Sequence, residues 1–181
     1  FSEEQEMMRQ SARQFLESEC SMTYVRKMMD DDTGYSEDQW KKMAELGWMG
    51  LILPEQYGGS GLNMVDLVVI LEEMGRVVMP GPFYPTVILG GLAIDLGGSR
   101  AQKKRYLPKI ATGELRLQSM GVTEPTAGTD TTSIKTVAVK KGDRYVVNGQ
   151  KVWTSRLQHS ELMILLARTT PLDKVKKKSD G

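Results

Sequence analysis

Gly121-Val122-Thr123-Glu124-Pro125-Thr126-Ala127-Gly128-Thr129-Asp130-Thr131-Thr132-Ser133 marks the point at which the grammar of this 181-residue chain changes. Upstream, apolar residues recur at helical spacing and are punctuated by caps. Ser2 with Gln5 forms a capping-box pair before Met8, Ala12 and Phe15. Ser36 with Gln39 repeats the device before Trp40, Met43 and Leu46, and Gly47 supplies the stop. Asn63 to Val78 and Tyr84 to Leu96 predict two further apolar helices, the second with Pro85 in its first turn. Met79-Pro80-Gly81-Pro82 separates them, and Ser99 caps a last helix that runs through Leu107.

Downstream, the period shortens. Thr136 to Val139, a turn at Lys141-Gly142-Asp143, and Arg144 to Val147 predict a hairpin. Asn148-Gly149 predicts a second turn, and Lys151–Thr154 and Leu162–Ala167 two more strands. Helices first and strands second predict an α+β chain of two domains, residues 1–116 and 117–181, not alternating βαβ units.

Composition narrows the function. A net charge of +1 gives no reason to expect nucleic acid or an acidic membrane as partner. The single cysteine, Cys20, excludes an internal disulfide, and the single histidine, His159, argues against a metal site built on histidine. No apolar stretch reaches membrane-spanning length. Phe1 in place of an initiating Met, and a polar lysine-rich end at Lys174 to Gly181, imply a segment of a longer protein.

The Gly121–Ser133 run reads in two ways. Thr123 and Thr129 offer hydroxyls, and Gly128 admits close approach of a flat or phosphorylated ligand to the backbone. The alternative is an interdomain loop with Pro125, Gly128 and Asp130 as turn formers. Glu124 is either a general base or an acceptor for nearby backbone amides. Trp153, beside Thr154 and Ser155, either covers one face of a conjugated ring or fills a β-barrel core. The Tyr57–Gly61 loop lacks the order and the Lys-Ser/Thr pair of a phosphate-binding loop.

These residues resemble the acyl-CoA dehydrogenase family. Gly121 to Ser133 is similar to its first signature at every specified position, and the likeness runs along the chain. It takes in Leu53-Pro54-Glu55-Gln56-Tyr57-Gly58-Gly59-Ser60-Gly61, Leu71-Glu72-Glu73-Met74-Gly75, Lys104 to Gly113 and Tyr145 to Trp153. The resemblance implies an all-α helical bundle, then a β-barrel-like middle domain that is incomplete here, then a four-helix domain absent from this sequence. It also implies FAD, α-proton abstraction from an acyl-CoA by a carboxylate outside this segment, and β-hydride transfer to flavin N5. Electron-transferring flavoprotein as acceptor, a homo- or heterotetramer and a role in fatty-acid β-oxidation follow from the same likeness. Bacterial cytoplasm fits first and the mitochondrial matrix second.

By the same resemblance, Met120, Val122 and Thr123 line the flavin ring, with Thr123 on its polar edge. Gly128 and Thr129 lie by the pyrophosphate and the entry of the thioester arm. Trp153 flanks the ring and Ser155 places its hydroxyl near N5. Glu124 inherits no catalytic role. Four departures stand out: Thr129 for the usual serine, Ser155 for threonine, Met120 for an aromatic residue, and Arg156-Leu157 for asparagine and a small residue. Arg156 puts a long cation at the expected rim of the site and leaves acyl preference open. An oxidase or monooxygenase on the same scaffold, or a flavin-less subunit of a heteromer, are the alternatives.

Overall fold

The computed structural model describes residues 1–181 and divides into two compact units, Phe1–Arg116 and Leu117–Gly181. The first unit is helical. Its helices are α1 (Glu3–Glu19), α2 (Met22–Met29), α3 (Glu37–Glu45), α4 (Met64–Arg76), α5 (Ala93–Gly97) and α6 (Arg100–Ala111). Local chemistry sets their starts. Ser2, Asn63 and Ser99 each accept a hydrogen bond from the third helical residue, whose side chain reaches back to the cap N–H. At Ser36 only half of the expected box forms. Its side chain accepts from the Gln39 N–H, but the Gln39 amide is used elsewhere. Gln39 Nε2 donates to the Glu19 carbonyl and Oε1 accepts from the Tyr24 hydroxyl, so a buried glutamine ties three segments together.

The apolar stripes of these helices converge on one core. Leu16, Trp40, Met43, Met49, Leu67, Ile70, Phe83 and Val87 belong to it. Trp40 packs edge-on against Tyr35 with ring centroids 6.0 Å apart, and its indole N–H donates 2.8 Å to the Gly113 carbonyl. Along the α1–α4 seam the buried Glu73 accepts from Arg13 Nε and Nη2 (2.9 and 2.7 Å) and from Arg76 Nε (3.0 Å). The Tyr57–Gly61 loop forms, and its backbone is spent on the chain itself. The Ser60 and Gly61 N–H groups donate to the carbonyls of Gly50 and Leu53. Those donors are not available to a phosphate.

The expected helix from Tyr84 to Leu96 takes a different form. Pro85–Leu92 is a π-helix, with Pro85 at its start, and α5 continues from it. The run Val87-Ile88-Leu89 is uniformly apolar, so its periodicity does not separate 3.6 residues per turn from a wider helix. α6 extends to Ala111, past the expected end, and carries Pro108 inside it; buried Leu107 and Ile110 anchor that last turn.

In the second unit, β1 (Ser119–Gly121) pairs parallel with β4 (Met163–Leu165), and β2 (Val137–Lys141) pairs antiparallel with β3 (Arg144–Asn148). These are two separate two-stranded sheets, and no closed barrel forms. The β2–β3 hairpin turns through two residues with Gly142 at φ +64°, as the sequence predicts. Two expectations fail. Asn148-Gly149 is not a hairpin turn; Gly149 lies so close to Thr136 that an added Cβ would fall 2.2 Å from its Oγ1. Lys151–Thr154 is not a strand, because Trp153 adopts a left-handed φ of +58° that breaks any extended run. No helix is long and apolar enough to cross a membrane.

Candidate functional site

The β1 strand runs straight into the Gly121–Ser133 segment. Met120 is half-buried on β1, between buried Ser119 and Gly121. Val122 and Thr123 follow, both half-buried. The chain then closes a tight turn in which Glu124 and Ala127 exchange backbone hydrogen bonds of 3.0 and 3.2 Å. Gly128 and Thr129 lie exposed just beyond it. Asp130 accepts from the hydroxyls of Thr132 and Ser133, which hold its carboxyl below the usual carboxylate range and stiffen the end of the segment.

A second segment lies beside the first. The Val152 N–H donates 2.9 Å to the Thr123 carbonyl, which brings Trp153 next to the Val122–Thr123 ribbon in hydrogen-bond order. Trp153 is 87% exposed among these residues. Its φ of +58° is costly for a bulky residue. Ser155 is exposed, and Arg156 also takes a positive φ, +57°. Arg156 Nε donates 2.8 Å to Gln118 Oε1, and Gln118 Nε2 donates 2.7 Å to the His159 carbonyl. The Arg156 cation is thereby anchored two residues before Met120.

Glu124 settles into the second of its two readings. It is 5% exposed and accepts from the N–H groups of Lys135 (2.6 Å) and Thr136 (2.9 Å) and from Lys151 Nζ (2.9 Å). Burial alone would raise its pKa; the hydrogen bonds from Thr136, Lys135 and Lys151 outweigh that and hold it at about 2. A carboxylate so committed is a poor proton acceptor at neutral pH. Lys151 is a residue that sequence reasoning missed. The neighbouring strand Arg144–Asn148 is exposed along its length, and no local pattern marks this lysine as buried or names its partner. Arg168, 3% exposed and donating to the carbonyls of Thr132, Thr170 and Lys178, carried no signal either.

The arrangement suits a flat heteroaromatic group with a polar edge. The hydroxyls of Thr123, Thr129 and Ser155 make no hydrogen bond within the chain, nor does the Thr123 N–H. An exposed indole follows on the neighbouring segment. The two segments are tied by the Val152 N–H to the Thr123 carbonyl and by Lys151 to the Val122 carbonyl and Glu124, and Gly128 and Thr129 share no hydrogen bond with Trp153 or Ser155. No group of three or more His, Cys, Asp or Glu side chains could hold a metal ion.

Residues 2–114 match the acyl-CoA dehydrogenase N-terminal domain and residues 119–180 the acyl-CoA dehydrogenase middle domain. The chain is 40% identical over 140 residues to acyl-CoA dehydrogenase FadE26 of Mycobacterium tuberculosis, covering 77% of this chain and 34% of that protein. The crystal structure of the ChsE4–ChsE5 complex from Mycobacterium tuberculosis superposes with a TM-score of 0.84 at 34% identity, covering 99% of this chain and 45% of that one. An acyl-CoA dehydrogenase complexed with FAD from Bacillus anthracis gives a TM-score of 0.81 at 32% identity, covering 93% and 30%. The chain spans less than half the length of each of these proteins. It belongs to the acyl-CoA dehydrogenase family.

Proposed function

We infer that this chain carries the flavin-facing part of an FAD-dependent enzyme that dehydrogenates an acyl-CoA thioester between its α and β carbons. One observation carries the reading: the Val152–Thr123 hydrogen bond sets an exposed, backbone-strained Trp153 beside a ribbon whose Thr123 hydroxyl and N–H are uncommitted. Thr123 would hold the polar edge of the isoalloxazine, Met120 and Val122 would give it an apolar wall, and Trp153 would cover a face. Gly128 and Thr129 would take the pyrophosphate and the thioester arm, and Ser155 would offer its hydroxyl beside the hydride-accepting position. FAD, when bound, supplies the hydride acceptor. The base must come from elsewhere, since Glu124 is spent on Lys135, Thr136 and Lys151.

Electron-transferring flavoprotein is the proposed electron acceptor, and a tetramer the proposed assembly. The likeness to the ChsE4–ChsE5 complex favours, as the second reading, a heteromeric form, with this chain as its flavin-less subunit. The test is flavin content of the intact protein, with Trp153→Ala and Thr123→Val beside it. One FAD per chain, lost or more slowly reduced by acyl-CoA in both variants, is the expected result; unchanged content and reduction rate in both sink the site. Half-stoichiometric flavin selects the heteromer, and rapid reoxidation by air selects an oxidase.

A further inference from the structure

Beneath the Gly121–Glu124 ribbon lies an ion pair for which the flavin reading has no use. Lys151 Nζ donates 2.9 Å to Glu124 Oε1 and 2.9 Å to the Val122 carbonyl. The two side chains are only 9% and 4% exposed. An ammonium is strongly hydrated, and taking it out of water offsets most of what the pair returns. As a stabiliser, such a pair is little better than well-packed apolar residues.

What the pair does specifically is fix a peptide plane. In a trans peptide the carbonyl and the following N–H point in opposite directions, and this chain has no cis peptide. Lys151 holds the Val122 carbonyl, so the Thr123 N–H is directed away from the pair, where it meets no acceptor within the chain. The plane on the other side of Thr123 is fixed too, because the Val152 N–H takes the Thr123 carbonyl. Consecutive residues, Lys151 and Val152, thus lock both peptides flanking Thr123, and the next residue is Trp153. Glu124 in turn keeps the ammonium in place, itself clamped by the Lys135 and Thr136 N–H groups.

We propose that Lys151 and Glu124 are a positioning pair, in which Lys151 locks the Val122–Thr123 peptide so that Thr123 presents its N–H and hydroxyl to the flavin's polar edge. The proposal rests on the flavin reading. Neither residue touches the flavin; both act through Thr123.

The experiment uses the intact protein with Lys151→Met, Glu124→Gln and, as a comparison elsewhere in the same unit, Arg168→Met. Three quantities are measured: thermal midpoint, FAD dissociation constant, and the position of the visible absorption bands of bound flavin. Lys151→Met is expected to weaken FAD binding roughly tenfold, the cost of one misdirected hydrogen bond, and to shift the bands. Arg168→Met is expected to lower the midpoint and leave the bands where they are. Glu124→Gln removes the charge opposite the ammonium and keeps an acceptor for only one of the two N–H groups, which bond different oxygens of Glu124, and should shift both flavin readouts in the same direction as Lys151→Met; if Lys151→Met fails to fold, it decides alone. Wild-type bands and affinity in the folded Lys151 variant, whatever its midpoint, overturn the pair's role. A wild-type protein that binds no FAD overturns the flavin reading itself, and the pair with it.

Discussion

In the Phe1–Arg116 unit the fully buried side chains are Trp40, Phe83, Leu16, Met43, Met49 and their apolar neighbours, with Glu73 the one acid among the largest of them. In the Leu117–Gly181 unit the buried hydrophobics are few, Leu117, Ala127 and Ile134. The buried polar residues there are Gln118, Ser119, Glu124, Thr136 and Arg168. Among the residues described, the buried contacts of the first unit are mostly packing and those of the second are mostly directed hydrogen bonds to backbone. Packing tolerates small shifts and gives a stable body. Directed bonds fix the course of a ribbon, which a ligand site requires and a core does not.

The largest expected effect tests the first half of that contrast. Trp40→Ala removes a side chain only 1% exposed, its contact with Tyr35 and its bond to the Gly113 carbonyl. It should cost about 3–5 kcal/mol in urea denaturation followed by far-ultraviolet circular dichroism. A loss below ~1 kcal/mol would mean that the helical unit does not depend on its core.

A smaller effect tests the second half. Glu124 titrates at about 2 in the folded chain against an ordinary 4.5, so its contribution to stability is complete above pH 4.5 and is lost as pH falls through 2. The difference amounts to roughly 3 kcal/mol. It should appear as a loss of amide protection, relative to the intrinsic exchange rate at each pH, at Lys135 and Thr136 on acidification, well before protection falls at Leu16. Glu124→Gln should flatten that pH dependence. Equal acid sensitivity at both places would erase the distinction between the units.

The same contrast explains what could be read in advance. Ser2, Asn63 and Ser99 act on residues three positions away, and the Gly142-Asp143 turn joins adjacent strands, so helix starts and the hairpin follow from local chemistry. The polar ties of the second unit span long separations. Lys151 reaches Glu124 and Val122, and Arg168 reaches Thr132, with no local pattern to announce either. Gly149 looks like a turn former, yet its lack of a side chain serves close contact with Thr136. The π-helix at Pro85–Leu92 is hidden for a different reason: a segment apolar on every side has no phase to read. Of the candidate site, the residue types along Gly121–Ser133 and at Trp153 were legible. The Lys151 anchor beneath them was not.

The smallest expected effect is the most discriminating, because the two halves of the contrast give it opposite signs. A tryptophan at φ +58° pays roughly 1–3 kcal/mol in backbone strain, and at 87% exposure it recovers little by packing. Trp153→Gly relieves the strain, offset in part by glycine's greater freedom when unfolded, for a net gain of about 1 kcal/mol. Trp153→Ala keeps the Cβ, hence the strain, and should give no gain. If Trp153 is there for a ligand, the glycine variant is the more stable protein and the weaker flavin binder. If it is there for packing, the glycine variant unfolds earlier. Thermal midpoints of Trp153→Gly and Trp153→Ala, measured side by side without added flavin, separate the two by sign, and a strained, exposed aromatic residue that stabilises nothing is what a site built ahead of its ligand should contain.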